Sequence, residues 1–314
     1  MRIGINGTGL VQKASVPAII ADGARAQADG FASYWLAEHP TGGFDALTVL
    51  ALVGQQVPNI ELGTAVIPTW PRHPMALAGQ VLTAASVLQG RLTLGIGLSH
   101  EVMMAQLGID FGKPIRHLRE FLQVLMPLLE RGSVKVQGDT ISCDAKVFVA
   151  PAQRCPVLVA ALGPQALKVA GTLCDGVSLA WVGPKTIREH IVPRLTEAAT
   201  AAGKSAPRVL ATLPVCVTDD PSGVRAIIDR NLAMYGQLPS YRAMFDREGA
   251  STPGDVAIVG SRNEVNDKLS EMALAGATDF AVSEFTRTPQ EKEETRALIV
   301  DRARHAHRLA LIRQ

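Results

Sequence analysis

Short apolar runs and longer amphipathic stretches alternate along almost the whole chain. The apolar runs are rich in Val, Ile, Leu and Ala and lack strict polar alternation, which is typical of strands covered on both faces by helices. Eight such runs predict strands at 2–6, 33–38, 61–67, 91–97, 156–162, 176–182, 208–217 and 279–285. Helical periodicity fills the intervals at 14–28, 45–57, 74–89, 115–131, 164–174, 185–202, 222–236, 262–275 and 289–312. This alternation predicts an α/β fold, a (β/α)8 TIM barrel, and a doubly wound open sheet is the alternative.

Two regions depart from the simple repeat. Residues 133–150 carry turn residues at Gly138-Asp139 between two short runs, which predicts a strand–turn–strand insertion. Residues 236–260 predict a loop and a short helix before the last helix and strand. We expect residues 1–314 to form one barrel domain with its insertion at about 133–150.

Composition narrows the class of protein. The chain has 314 residues, of which 47% are hydrophobic, and a formal net charge of +2, so it offers nucleic acid little to bind. The first residues, MRIGINGTG, lack the apolar run of a signal peptide, and no stretch is apolar enough to span a membrane. The four cysteines have neither zinc nor disulfide spacing, so we expect buried thiols, no metal site and a cytoplasmic protein.

Candidate chemistry lies where predicted strands end, because a barrel of this kind builds its active site at the carboxyl ends of its strands. Glu38-His39 follow the second strand, and a histidine there can exchange a proton near neutral pH, although capping a turn explains it equally well. The fourth strand runs through Gly95-Ile96-Gly97 into Ser99-His100. It is not a dinucleotide fingerprint, because the third glycine would have to stand where the sequence has His100.

The fifth strand leads through Ala161, Leu162, Gly163 and Pro164 into a helix, whose free N–H groups would suit a phosphate. Arg72 and Lys185, near other strand ends, are candidates for meeting an anionic tail. The sequence has no G-x-S-x-G elbow, no P-loop and no catalytic lysine at a strand end. Because the chain shows no nucleophile of its own, we expect a bound cofactor.

Four segments carry a family resemblance: GFASYWLAEH, IELGTAVIPTWPRHPMALAGQ, GRLTLGIGLSHEV and VLVAALGPQALKVAGTLCDGV. With them the chain resembles the bacterial-luciferase-like oxidoreductases, and more closely the branch that uses the deazaflavin coenzyme F420. The resemblance implies a (β/α)8 barrel with an insertion after the fourth helix and a cis peptide bond at Ala65-Val66. It also implies a homodimer formed through the helices after strands 2 and 3.

The resemblance further implies which residues serve the cofactor and the chemistry. The cofactor-binding positions are Thr64, Ala65, Val66, Gly97, Ser99, Ala161, Leu162, Gly163 and Pro164. His39 is the expected proton donor, with Glu38 or His100 as helpers. Sugar-phosphate dehydrogenases of the family have glutamate where this chain has His100 and tryptophan where it has Gly43. The sequence therefore favours a reductase acting on unsaturated or carbonyl compounds.

Two other functions stay open at this point. One is an FMN-dependent monooxygenase of the same superfamily, which would depend on a flavin reductase. The other is a non-catalytic flavin-binding barrel that keeps the cofactor groove without a proton donor. The histidines at positions 39 and 100 favour an enzyme.

Overall fold

The computed structural model describes residues 1–11, 15–149, 151 and 153–312, and within them eight parallel strands close into a barrel surrounded by helices. The strands, in chain order, are β1 (Arg2–Asn6), β2 (Ser33–Leu36), β3 (Glu61–Thr64), β4 (Ile67–Pro68), β5 (Leu92–Gly97), β6 (Ser133–Val136), β7 (Cys143–Lys146), β8 (Val157–Val159), β9 (Gly176–Ala180), β10 (Arg208–Val217), β11 (Ile258–Gly260) and β12 (Asp279–Glu284). The barrel order is β1-β2-β3-β5-β8-β9-β10-β12, closed by pairing of β12 with β1. The predicted (β/α)8 TIM barrel is confirmed.

The helices cover the outside of the barrel. In chain order they are α1 (Thr8–Val11), α2 (Val16–Ala28), α3 (Ala46–Gln56), α4 (Pro74–Leu88), α5 (Glu101–Gln106), α6 (Pro114–Arg131), α7 (Pro164–Leu173), α8 (Pro184–Thr186), α9 (Val192–Ala201), α10 (Pro221–Asn231), α11 (Ala233–Gln237), α12 (Pro239–Glu248), α13 (Pro253–Val256), α14 (Arg262–Leu274) and α15 (Pro289–Ile312). A π-helical turn, Ile187–Ile191, joins α8 to α9. In the described part of the chain, no helix combines the length and hydropathy needed to cross a membrane.

Local sequence signals set several helix ends. The Asp45 carboxylate accepts a hydrogen bond of 2.8 Å from the Thr48 N–H at the start of α3, and Ser261 forms a capping box at the start of α14. Gly132 ends α6 with φ 75°, a left-handed conformation that glycine adopts without steric cost. Residues 14 and 150, the outer ends of a predicted helix and of the predicted insertion, lie outside the described residues, as do 313 and 314.

The two regions that break the repeat have distinct structures. β6 and β7 pair antiparallel where the sequence predicts a strand–turn–strand unit. The Glu120 carboxylate on α6 accepts hydrogen bonds from the backbone N–H groups of Asp139, Thr140 and Ile141, which holds the turn between the strands. Residues 236–260 contain more structure than the predicted loop and short helix: the end of α11, then α12, α13 and β11.

The barrel interior is layered. At its lower end, Arg208 forms ion pairs of 2.9 Å with Glu61 and 2.7 Å with Asp279. Above them lies a small apolar cluster, whose members are Trp35, Leu158, Leu210 and Ala281. This cluster is separate from the larger core between the barrel and its helices. Charged residues therefore close the lower end, and Trp35 is the largest side chain beneath the upper opening.

Candidate active site

Small side chains surround the opening at the carboxyl ends of the strands. Side chains alternate between the two faces of a strand, so the next inward positions above the Trp35 cluster lie two residues further on. Those positions are Ala37, Ala160, Thr212 and Ser283. A Cβ at Gly97 would lie 2.8 Å from Val66 Cγ2 and 3.0 Å from Ala160 Cβ, which is tighter than ordinary contact. Small residues thus let the chain pack closely where β3, β5 and β8 end, and we refer to this region as the cup.

The third barrel strand is interrupted between Thr64 and Ile67. The peptide bond between Ala65 and Val66 is cis, as the resemblance implies. Thr64 is fully buried, and its hydroxyl donates to the carbonyl of Gly95 at 2.8 Å and accepts from the Gly95 N–H at 2.7 Å. Because both bonds go to β5, the Thr64 hydroxyl holds the interruption in place and is not free for a ligand, while Ala65 packs on the Trp35 cluster.

The end of β5 turns sharply. Ser99 has φ 60°, an uncommon left-handed conformation for a residue with a side chain, and its hydroxyl lies 3.6 Å from Met103 Sδ. His100 comes next, at the start of α5, and is half-buried. Burial lowers the pKa of His100, so its imidazole is neutral at pH 7.

Glu38 and His39 follow β2 but stand in different surroundings. The Arg72 guanidinium pairs with Glu38 and, at 2.7 Å, with Asp45, and Glu38 Oε2 also accepts from the Ala46 N–H at 3.3 Å. The Glu38 carboxylate is therefore occupied, and the charge of Arg72 is neutralised rather than available to an anionic tail. Lys185, the other candidate cation, is exposed at α8.

His39 has one ring nitrogen engaged. Its Nδ1 lies 2.9 Å from Thr41 Oγ1 and accepts from the Thr41 N–H at 3.4 Å. A backbone N–H only donates, so Nδ1 is the acceptor of the neutral ring and the proton is on Nε2. In the described part of the chain, Nε2 has no hydrogen-bond partner. His39 is half-buried, so this N–H is available to a ligand at the opening.

The end of β8 leads into an uncapped helix. Ala161 is buried, whereas Gly163 and Pro164 are exposed at the start of α7. No side chain caps this ten-residue helix, so its first N–H groups have no side-chain acceptor. An anionic group at this end would accept from them and would interact favourably with the helix dipole.

His190 is a residue that the sequence reasoning missed. It lies in the π-helical turn, is 2% exposed, and its Nε2 donates to the Leu162 carbonyl at 2.8 Å. Its Nδ1 is buried with no partner among the described residues. The sequence does hold one signal for the turn. Pro193 lacks an N–H, and the Val192 N–H bonds back five residues to the Ile187 carbonyl.

His117, on α6, is another histidine that the sequence reasoning missed. The ring of His117 on α6 stacks on Trp70, with centroids 3.7 Å apart and planes 6° from parallel. His117 Nε2 lies 3.1 Å from Thr69 Oγ1, and the Thr69 N–H donates to the Gly97 carbonyl at 2.9 Å. His117 therefore supports the end of β4 from outside. Burial lowers the pKa of His117 to about 4.

The predicted cofactor residues come together on adjacent strands, because β3, β5 and β8 are neighbours in the barrel. The residues between them are small, and the first N–H groups of α7 have no side-chain cap. Among the predicted catalytic residues, His39 follows β2 and His100 follows β5, so they stand on either side of β3. Glu38 differs from both because its carboxylate is held by Arg72.

Comparisons with known proteins agree with this geometry. The profile of the luciferase-like monooxygenase family matches residues 4–286. The 5,10-methylenetetrahydromethanopterin reductase of Archaeoglobus fulgidus is 30% identical over 289 residues, covering 81% of this chain and 85% of that protein. The F420-dependent glucose-6-phosphate dehydrogenase of Amycolatopsis mediterranei is 28% identical over 217 residues, 65% of each chain. An F420-dependent secondary alcohol dehydrogenase, solved with an F420-acetone adduct, superposes with a TM-score of 0.79 at 17% identity, covering 95% of this chain and 97% of that one.

Proposed function

The chain belongs to the luciferase-like monooxygenase family, and we propose that within it the protein is a coenzyme F420-dependent oxidoreductase. It transfers a hydride between the deazaflavin and a small organic substrate. One structural observation carries the proposal: a cup of small residues on β3, β5 and β8 adjoins the uncapped start of α7. The F420 dependence of the similar glucose-6-phosphate dehydrogenase supports this choice of cofactor.

The residues present fit such a group. Ala65, Val66 and Gly97 would lie against the ring, because a larger side chain at Gly97 has no room in the cup. Leu162, Gly163 and Pro164 would present the start of α7 to the phosphate of the arm. When bound, the deazaflavin supplies two-electron hydride chemistry.

The chain's own residues supply orientation and a proton. The protonated form of His39 would release its Nε2 proton to the atom of the substrate that becomes negative and return to the neutral ring, while Thr41 Oγ1 holds the opposite nitrogen. Neutral His100 donates or accepts a hydrogen bond without adding charge to the site. Glu38 is a positioning residue in this scheme, because its ion pair with Arg72 fixes the loop that carries His39.

Cofactor titration tests the proposal. We expect the purified apoprotein to bind F420 more tightly than FMN, with Gly97→Val weakening F420 binding by about tenfold or more through steric overlap with Val66. Gly79→Val is the matched control, because a Cβ at Gly79 meets nothing within 4 Å. Tighter binding of FMN together with oxygen consumption would instead identify an FMN-dependent monooxygenase. Cofactor binding without turnover of any substrate would identify a flavin-binding barrel.

We further propose that the protein is a cytoplasmic homodimer that acts on a small molecule and binds neither nucleic acid nor membrane. Four free cysteine thiols support a reducing compartment. Phe44 lies just before α3 and is 37% exposed, and Leu52 lies on α3 and is 43% exposed. These exposed apolar side chains support an interface through the helices after β2 and β3. Sedimentation equilibrium of the wild type and of Leu52→Glu tests the dimer.

A further inference from the structure

Four aromatic rings form a continuous row, and three of them take no part in the hydride-transfer scheme above, in which only His100 has a role. The His100 ring lies 5.4 Å from that of Tyr241, the Tyr241 ring 5.6 Å from that of Tyr235, and the Tyr235 ring 5.3 Å from that of Trp181. These centroid separations and tilted or edge-on orientations are those of mutually attractive aromatic pairs. We refer to His100, Trp181, Tyr235 and Tyr241 as the aromatic wall.

The aromatic wall stands at the opening of the barrel. His100 follows β5, Trp181 follows β9, and the two tyrosines come from α11 and α12 beyond β10. In the barrel β8 lies between β5 and β9, so the row passes the end of β8, where the loop assigned to the cofactor begins. Trp181 has φ 62°, which is a rare conformation for a bulky residue and directs the chain away from the strand at this point.

The two tyrosine hydroxyls are available as donors. Both tyrosines are only partly buried, and in the part of the chain that the structure describes neither hydroxyl has a hydrogen-bond partner. Burial raises the pKa of Tyr235 and of Tyr241, so both phenols keep their protons near neutral pH. A protonated phenol without a partner, beside an open cup, can donate to a ligand oxygen.

The wall carries no formal charge at neutral pH, because burial keeps His100 neutral. Arg242, the neighbour of Tyr241, donates to Asp246 and, at 2.8 Å, to the Ser251 carbonyl. The wall therefore provides flat apolar surface and phenolic donors without a cation for a phosphate.

We propose that the aromatic wall is the substrate-facing side of the pocket and selects planar, uncharged carbonyl compounds. Their rings stack against Tyr235, which packs on the buried ring of Trp181, and their carbonyl oxygen accepts from a tyrosine hydroxyl. The proposal rests on the proposed function, because the cofactor occupies the other side of the same opening. It makes Tyr235, Tyr241 and Trp181 specificity-determining residues.

Two ketones of equal carbon number test the selection. Acetophenone is planar, whereas cyclohexyl methyl ketone has the same carbonyl on a puckered ring. We expect calorimetric titration of the F420-loaded protein to show roughly fivefold or greater preference for acetophenone, the size of effect that one aromatic pair supplies. Tyr235→Leu and Tyr241→Leu should each remove most of that preference. The double variant Tyr235→Phe/Tyr241→Phe should weaken both ketones about equally, because it keeps the rings and removes the donors.

Phe148→Leu is the matched control, because Phe148 is fully exposed on the segment after β7 and should leave both ketone affinities unchanged. The F420 dissociation constant of each variant shows whether the fold and the cup are intact. Equal affinity for the two ketones, or unchanged preference in both leucine variants with F420 binding intact, would overturn the proposal. If the wild-type protein prefers acetophenone but does not bind F420, the role of the aromatic wall in substrate selection stands and the proposed cofactor is wrong.

Discussion

His39 is the residue on which the proposed chemistry depends most directly. Thr41 engages Nδ1 and thereby leaves the proton on Nε2, so the side chain is set as a donor before any substrate arrives. The sequence predicts this residue from its place after β2, but it gives no indication that Thr41 selects the tautomer. The sequence also gives little reason to choose His39 over Glu38 as the proton donor, since only the structure shows that Arg72 holds the Glu38 carboxylate.

Replacing His39 tests its role. We expect His39→Ala to lower the rate of hydride transfer by about 100-fold or more, the usual contribution of a positioned general acid, while the F420 dissociation constant stays within a factor of about two. His39→Asn should be equally slow, because an amide can still accept from Thr41 but does not release a proton. Stopped-flow recording of cofactor oxidation measures both. If His39→Asn transfers hydride at the wild-type rate, His39 is not the proton donor.

Among the elements, the π-helical turn is closest to the site without touching the cup. Pro193 removes an N–H from the helix that follows, and the wider turn places His190 where its Nε2 reaches the Leu162 carbonyl. The turn therefore connects the start of α9 to the loop that begins α7. His190 is a positioning residue, because it acts on the loop through Leu162 rather than on a ligand.

The hydrogen bond from His190 to Leu162 predicts that a change at His190 alters cofactor binding more than the rate of hydride transfer. His190→Phe should weaken F420 binding by about tenfold, because it leaves the partly buried Leu162 carbonyl without its donor. The rate at saturating cofactor should change little. His190→Gln, whose amide can donate to the same carbonyl, should recover most of the affinity. Fluorescence titration and amide hydrogen exchange at the start of α7 measure the effect, and equal losses in both variants would contradict it.

The periodicity of apolar residues predicts the barrel elements well and their ends less well. The strand predicted at 33–38 stops at Leu36, although the Glu38 N–H still donates to the Val66 carbonyl beyond the interruption in the neighbouring strand. The strand predicted at 61–67 is interrupted at Ala65-Val66, which the family resemblance implies and periodicity does not. Tyr241 meets His100 from a distant part of the chain, a contact that local patterns do not encode.

For the whole molecule, two buried histidines and the half-buried His100 link stability to pH. Burial lowers the pKa of His117, His190 and His100, so the native state binds protons there less readily than the unfolded chain. The stability they contribute is complete above the ordinary histidine pKa of about 6.5 and is lost as the pH falls below it. For His117 the loss continues to its folded pKa of about 4.

We therefore expect the free energy of unfolding to fall between pH 7 and pH 5, with His117 alone accounting for about 2 kcal/mol. His117→Gln should reduce this difference between the two pH values, whatever its effect on stability at pH 7. His305→Gln, at an exposed position on α15, is the control and should preserve the difference. Urea unfolding at the two pH values measures it, and an unchanged difference in His117→Gln would contradict the assignment.

The two tyrosines of the aromatic wall and the cup have separate origins in the chain. The two tyrosines lie in one continuous stretch between β10 and β11, whereas the cup is formed by β3, β5 and β8. Substitutions within residues 232–256 can therefore change which substrate is selected while the residues proposed to bind the cofactor stay the same. The same stretch could be replaced as a unit. A homologous segment grafted there would bring its own substrate preference while the cofactor-binding residues stay unchanged.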